Sequence, residues 1–182
     1  MASGFLKLFW GLVLVYCDFK INQVDLLPDF VGYLLVALGC SDLNRHIPRF
    51  SASYVAALAL IVLSIVDMLI ATEPAFALVC AVVNCVMIWS LFGGLADLAG
   101  QYARRDLIEK ANFRRTFYVI FSALAWFATM DATRVQAPFG FLIIIGSLAA
   151  CVLVMHLIYV FNRELGSTHV VPERFDENGV IQ

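Results

Sequence analysis

Charged residues are scarce in this chain of 182 residues. Asp, Glu, Lys and Arg together make up 14% of it, whereas a soluble domain has about 25%. Apolar residues supply 62%, against roughly 45–50% in soluble domains. A water-soluble core of this size cannot hide that excess, so we expect the bilayer to be the solvent for much of the chain. The net charge of −2 argues against nucleic-acid binding, which needs a basic face.

Sequence motifs of catalysis and cofactor binding are missing as well. The chain has no Walker loop, no His-Glu-x-x-His, no Gly-x-Ser-x-Gly and no dinucleotide fingerprint. No Cys-x-x-Cys pair occurs, and the five cysteines fall in or beside apolar runs, as small apolar fillers do. We therefore predict no metal and no cofactor, and we favour a protein that is not an enzyme.

What is present is a series of apolar runs separated by short polar connections. They predict an all-α fold, an integral membrane bundle of six transmembrane helices arranged as three hairpins. The transmembrane domain is expected to cover 1–162, with helices at about 4–20, 28–42, 52–71, 75–98, 116–132 and 139–161. The charged stretch 100–115 is a candidate amphipathic surface helix, and 163–182 a polar cytoplasmic tail. A re-entrant first hairpin, which leaves four spans, stays open.

The distribution of Lys and Arg predicts the orientation in the membrane. With six spans, ten of the 12 basic residues fall on one side, and only Lys20 and Arg134 fall on the other. Both termini are therefore expected to be cytoplasmic, in a bacterial cytoplasmic (inner) membrane. The four-span alternative leaves the same residues on the same sides.

Acidic residues gather at the predicted outer turns. The candidates for contact with a substrate or ion are Asp25, Asp29, Asp67 and Asp131. A carboxylate at membrane depth is costly unless it is paired or hydrated. Two interpretations remain: a vestibule for a cation or small solute, or interfacial carboxylates that mark helix ends.

A second set of residues stands out inside the apolar runs and beside them. Asn84 and His156 are polar residues at membrane depth, and we expect them to be hydrogen-bonded, with each other as candidate partners. Tyr16, Trp89 and Tyr118 belong to a set of aromatic residues expected to form an interfacial belt. Small residues expected to serve helix packing are Gly93, Gly94, Gly146 and Ala150. A basic cluster expected to contact inner-leaflet lipid or a partner consists of Arg104, Arg105, Lys110, Arg114 and Arg115.

The start of the second predicted helix carries a resemblance. The segment Leu27-Pro28-Asp29-Phe30-Val31-Gly32-Tyr33 resembles a group of small uncharacterised bacterial multi-pass membrane proteins, which share the pattern [LI]-P-D-F-[IV]-G-Y there. The stretch that carries the resemblance, Asp25–Gly39, covers about a tenth of the chain. The resemblance implies a bacterial inner-membrane protein and brings no activity with it.

Two functions follow as hypotheses. The first is an accessory or scaffolding subunit that acts through helix–helix contacts with a larger membrane protein or with further copies of itself. The second is a small transporter or channel with an acidic outer vestibule. The lipid bilayer is the one partner that both require.

Overall fold

The computed structural model describes residues 2–16, 20–21, 24–25, 29–69, 74–130 and 137–165. Within these ranges the fold is all-helical apart from one short pair of strands, β1 (Lys20–Ile21) and β2 (Val24–Asp25), which pair antiparallel. The helices are α1 (Ala2–Tyr16), α2 (Asp29–Asn44), α3 (Phe50–Leu69), α4 (Pro74–Gln101), α5 (Arg105–Met130) and α6 (Ala137–Leu165). Six helices were expected from the sequence, and the strand pair was not.

The start of α5 corrects the sequence-based prediction. The helix begins at Arg105 rather than near 116, so the charged stretch forms its first turns and is not a separate surface helix. Charge placement explains this, because Asp106 lies at the positive end of the helix dipole and pairs with Lys110 one turn later, at 3.7 Å. The start of the predicted tail is also corrected, since α6 continues to Leu165; residues 166–182 lie outside the described part.

Each helix packs antiparallel against the next, and α6 returns to pack against α1, so the six helices form a closed ring. Ion pairs join the start of α1 to the end of α2, the start of α3 to the end of α4, and the start of α5 to the end of α6. These pairs are Lys7–Asp42 at 2.8 Å, Arg49–Asp97 at 3.2 Å, and Arg104–Glu164. All three lie at one end of the bundle, which we call the ion-pair end; the other is the far end.

Glycines let α1 and α2 approach closely. Gly11 faces Gly32, and Gly4 faces Gly39, at matching seven-residue spacings on the two helices. A Cβ placed on Gly32 would lie 2.8 Å from the carbonyl oxygen of Gly11, and a Cβ on Gly39 would lie 2.8 Å from that of Gly4. Both are below ordinary contact distance, so only glycine fits this backbone-to-backbone packing, which is typical of helices in membranes.

Three helices are long and apolar enough to cross a membrane within the described residues: Phe50–Asp67 in α3, Phe76–Gln101 in α4 and Gly140–Leu165 in α6. Their outer surfaces are apolar. On α6, for example, Phe141, Ile144 and Leu148 are each more than 60% exposed. An apolar surface of this extent is expected where hydrocarbon, not water, is the neighbour. The chain is therefore a helical protein in contact with the lipid bilayer.

Candidate functional site

A cavity of about 290 Å³ lies between α4, α5 and α6. Its polar lining consists of Asn84 from α4, Tyr118 and Ser122 from α5, and Ser147 from α6. The rest of the wall is apolar or aromatic, and none of the described charged residues lines it. The volume equals that of about ten water molecules. Apolar walls with a few well-placed polar groups are typical of small-molecule sites.

A chain of hydrogen bonds lies at one edge of this cavity. The hydroxyl oxygen of Tyr118 accepts a hydrogen bond from the Tyr16 hydroxyl at 2.8 Å and another from the Asn84 amide nitrogen at 3.1 Å. The three side chains come from α5, α1 and α4, and Tyr118 is buried. Hydrogen bonds between helices hold polar groups that hydrocarbon cannot solvate. The network therefore fixes the end of α1 against the cavity wall.

The depth of this network follows from the length of α4. Gly94 packs against Phe50, the first residue of α3, and Pro74 begins α4 at the far end. Asn84 is ten residues from each of them, which is roughly 15 Å at 1.5 Å per residue. Gly94 and Pro74 are thus roughly 30 Å apart along α4, which is the thickness of a bilayer's hydrocarbon layer. Asn84 and Tyr118 lie midway between them.

Two oxygens on the cavity wall lack partners. Asn84 Oδ1 and Ser147 Oγ are buried and have no hydrogen-bond partner among the described residues. A buried polar atom without a hydrogen-bond partner lowers the stability of a protein by about 1–3 kcal/mol. Both residues line the same cavity, so a rotation of either side chain would present its oxygen to a bound molecule with hydrogen-bond donors, which would remove this cost. The arrangement can therefore bind an uncharged molecule that donates hydrogen bonds.

His156 is not part of this site, and its expected pairing with Asn84 is wrong. The His156 side chain is exposed on α6, with its Nδ1 atom 3.3 Å from Nη1 of Arg114. The same Arg114 nitrogen donates to the carbonyl oxygen of Leu153 at 2.9 Å. Asn84 finds Tyr118 instead, since the two residues meet at the same depth on neighbouring helices.

The acidic candidates do not line the cavity. Asp29 is exposed in the first turn of α2, and Asp67 is exposed near the end of α3. Asp25 lies in β2, opposite Lys20. Asp131 lies outside the described residues. Asp25, Asp29 and Asp67 therefore each lie at or near one end of a strand or helix. The structure does not join these three residues into one site.

The three glycines singled out in the sequence each meet a large side chain. A Cβ on Gly93 would come within 2.7 Å of Nε of Arg49, and a Cβ on Gly94 within 2.9 Å of the Phe50 ring. A Cβ on Gly146 would overlap the ring of Phe121. Ala150 is buried and forms part of the cavity wall. These glycines let side chains from neighbouring helices lie directly on the helix backbone.

The basic residues near the start of α5 have distinct surroundings. Arg104 pairs with Asp106 at 3.0 Å and with Glu164, and its hydrogen bond to Asp106 lowers the pKa of that carboxyl. Arg105 is exposed. The guanidinium of Arg115 lies over the Trp89 ring, 3.9 Å from its centroid. The five basic residues of this stretch, with Lys110 and Arg114 included, therefore do not form one uniform basic face.

Tyr16 and Tyr118 were expected to belong to an interfacial aromatic belt, and for Tyr118 this is wrong. It is 4% exposed, in the middle of the bundle, where its hydroxyl group has hydrogen-bond partners. Ser147 was not singled out at all. A tyrosine inside a predicted transmembrane helix, whose polar tip needs a partner when it is buried, is the signal that could have identified Tyr118.

Comparison of the chain with protein-family models, curated proteins and solved structures gives no match. The resemblance at the start of α2 therefore remains a prediction. Across the part of the chain that the structure covers, no group of three or more His, Cys, Asp or Glu side chains could hold a metal ion.

Proposed function

We propose that the protein carries a small uncharged solute through the membrane and binds it in the cavity between α4, α5 and α6. The observation that supports this most is the pair Asn84 and Ser147, two polar residues that line a mid-depth cavity and whose oxygens have no hydrogen-bond partner among the described residues. A protein that served only as a rigid helical support would gain nothing from them, since each lowers its stability.

The proposed arrangement in the membrane is three hairpins with both termini cytoplasmic, in a bacterial inner membrane. In it α3 to α6 cross the bilayer, and the ion-pair end faces the cytoplasm, which agrees with the excess of Lys and Arg there. The helices α1 and α2 have 15 and 16 residues, or roughly 22 and 24 Å. Their hairpin enters from the ion-pair end, and α1 ends at mid-depth, where Tyr16 contacts Tyr118.

A route for the solute follows from the short first hairpin. Tyr16 ends α1 at mid-depth, where it touches Tyr118. Lys20 follows four residues later, at most about 14 Å along the chain. Lys20 lies opposite Asp25 in the pair of strands, and we infer that the two charged residues lie beside the outer half of the bundle. Charges at that depth need water, and water there gives a solute access from the far end.

The lining of the cavity defines the solute class. The wall offers an amide, hydroxyl groups and aromatic rings, and no charge. Such a wall favours a compact molecule with hydroxyl or amide groups, such as a polyol or urea, over an ion. This replaces the expected acidic vestibule with an uncharged binding site below a polar entrance.

Osmotic swelling of proteoliposomes tests the proposal. Vesicles that contain the protein should swell faster than protein-free vesicles in isosmotic glycerol or urea. The Asn84→Leu substitution should remove most of the difference, because it removes an amide from the wall and fills part of the cavity. Leu148→Ala, on the lipid-facing side of α6, is the matched control and should leave the rate unchanged. Equal swelling with and without protein would refute the proposal for these solutes.

A second candidate, the accessory subunit, is favoured by a different feature. An apolar groove of about 420 Å³ runs along the outside of α4 and α5, with Ala81 and Ala123 among its small lining residues and Trp89, Trp126 and Phe127 among its large ones. Small residues let a helix of a partner membrane protein approach closely. The substitution Ala123→Phe should then reduce the size of the complex extracted in mild detergent, while the monomer keeps its unfolding temperature.

A further inference from the structure

A second and more polar cavity lies at the ion-pair end, separate from the proposed solute site. It measures about 630 Å³ and opens between the start of α3, the end of α4 and the first half of α5. Its polar lining consists of Arg49, Asp97, Gln101, Asn112 and Arg115. None of the proposed solute-binding residues belongs to it, so a role for this cavity does not depend on the proposed function.

The charges in this cavity do not balance. Nη1 of Arg49 donates to both carboxylate oxygens of Asp97, at 3.3 and 3.2 Å. Arg115 brings a second guanidinium to the same cavity. Two positive charges and one negative leave a net charge of +1. Like charges repel, so an anion bound between the two guanidiniums would be favoured.

Both guanidiniums have defined contacts with neighbouring residues. Arg49 lies directly on the backbone of Gly93, where a Cβ would be 2.7 Å from its Nε atom. Arg115 lies over the ring of Trp89 at 3.9 Å, and its buried Nε atom has no hydrogen-bond partner among the described residues. Fixed guanidinium groups lose little conformational entropy when they bind a ligand. Because Arg115 lines the cavity and its Nε atom has no hydrogen-bond partner among the described residues, the cavity favours a ligand that accepts hydrogen bonds.

A phosphate group fits these requirements best. Guanidinium groups match tetrahedral phosphate oxygens in a two-point geometry, and the amides of Gln101 and Asn112 add neutral donors from two further positions. The volume exceeds that of a phosphate group, which leaves room for the glycerol of a lipid headgroup. Ala96 and Ile108 give the cavity an apolar side, which acyl chains could contact.

We propose that the cavity between Arg49, Asp97 and Arg115 binds a phosphate group, carried either by an anionic lipid headgroup or by free inorganic phosphate. In the proposed orientation most of its α4 lining lies beyond Gly94, at the level of the inner-leaflet headgroups, and Arg115 lies deeper. Phosphatidylglycerol is therefore a suitable probe of the lipid source. Bound phosphate bridges α3, α4 and α5, so it stabilises the fold by linkage.

Thermal unfolding of the full chain in detergent, after removal of bound lipid, tests the proposal. The probes are phosphatidylglycerol, the phosphate-free diacylglycerol with the same chains, and inorganic phosphate at constant ionic strength. A rise in unfolding temperature with phosphatidylglycerol alone identifies a lipid site. A rise with inorganic phosphate, with or without the lipid, identifies a site for free phosphate. No rise with either phosphate compound overturns the proposal.

Charge-matched variants distinguish this cavity from general attraction to anions. The substitution Arg115→Gln should weaken phosphate binding about tenfold or more, because a charge-assisted hydrogen bond is lost. Arg105→Gln makes the same charge change on the same helix at an exposed position outside the cavity, and should change binding by less than about twofold. Equal weakening by both substitutions would overturn the proposal.

A third substitution keeps the charge intact. Gly93→Ala places a Cβ where the Arg49 side chain lies, so it displaces that guanidinium without removing it. It should weaken phosphate binding while Arg115 stays in position over Trp89. This variant keeps the proposal testable if Arg115→Gln fails to fold. Undiminished phosphate binding by Gly93→Ala would exclude a role for Arg49.

Discussion

The substitution Gly32→Ala probes the contact between α1 and α2. The new Cβ would lie 2.6 Å from Cγ2 of Val15, 2.8 Å from the carbonyl oxygen of Gly11 and 3.0 Å from the backbone nitrogen of Val15. Two of these are backbone atoms, which cannot rotate away, so α1 must shift by roughly half an ångström. Overpacking of this kind costs about 1–3 kcal/mol. The higher helix propensity of alanine stabilises the helix by about 1 kcal/mol. The free energy of unfolding should therefore fall by up to about 2 kcal/mol in total.

A matched control separates the contact from the helix propensity. Gly100→Ala makes the same chemical change in α4, where the closest neighbour of the new Cβ, Cδ1 of Ile108, is 4.0 Å away. It should stabilise the protein by about 1 kcal/mol. The free energy of unfolding, measured by denaturation in mixed micelles, should therefore differ between the two variants by about 1–3 kcal/mol. If Gly32→Ala is as stable as Gly100→Ala, the close packing of α1 on α2 is refuted.

Three further predictions concern stability. The hydrogen bond from Arg104 is the main cause that lowers the pKa of Asp106. The ionised Asp106 carboxylate therefore stabilises the fold fully above about pH 4, and this stabilisation is lost as the pH falls below that. Asp106→Asn should reduce the drop in unfolding temperature between pH 5 and pH 3. Phe161→Ala, at a fully buried position, should cost about 3–5 kcal/mol in the same denaturation assay, whereas Phe141→Ala, at a 64% exposed position on the same helix, should cost far less. Ala103 has φ of 55° in the turn after α4, so Ala103→Gly should raise the free energy of unfolding by about 1 kcal/mol.

The helical architecture could be predicted because hydrocarbon leaves the backbone few choices. Apolar runs in a membrane must satisfy their own N–H and C=O groups, and a helix does so within one segment. The predicted starts of the second, third and fourth helices fall within two residues of Asp29, Phe50 and Pro74. Proline at the start of α4 helped, because it fits the first turn without losing a hydrogen bond.

The start of α5 could not be read from charge alone. A stretch with five basic residues was interpreted as a surface segment, although Asp106 and Lys110 stand four apart, a spacing that also supports a helix. The deciding contact is tertiary: Arg104 pairs with Glu164 at the end of α6. A partner 60 residues away leaves no trace in local hydrophobic periodicity.

The cavity was only partly accessible to sequence reasoning. Asn84 was singled out because an amide is unusual in an apolar run. Its partner Tyr118 was missed, and so was the bond from Tyr16 to Tyr118, since the two tyrosines are 102 residues apart and look like ordinary aromatic residues of a membrane helix. Gly32, which belongs to the pattern at the start of α2, was not singled out as a packing residue, although it is in contact with α1.

The thiol of Cys151 offers the most direct measurement, because this residue lines the mid-depth cavity. A variant that keeps Cys151 and replaces the other four cysteines would be treated, in intact cells, with a membrane-impermeant methanethiosulfonate added outside. A variant that keeps only the fully buried Cys40 is the control. Modification of Cys151, and not of Cys40, is the result that a water-accessible cavity open to the far end predicts. A Cys151 thiol that reacts no faster than Cys40 would contradict it.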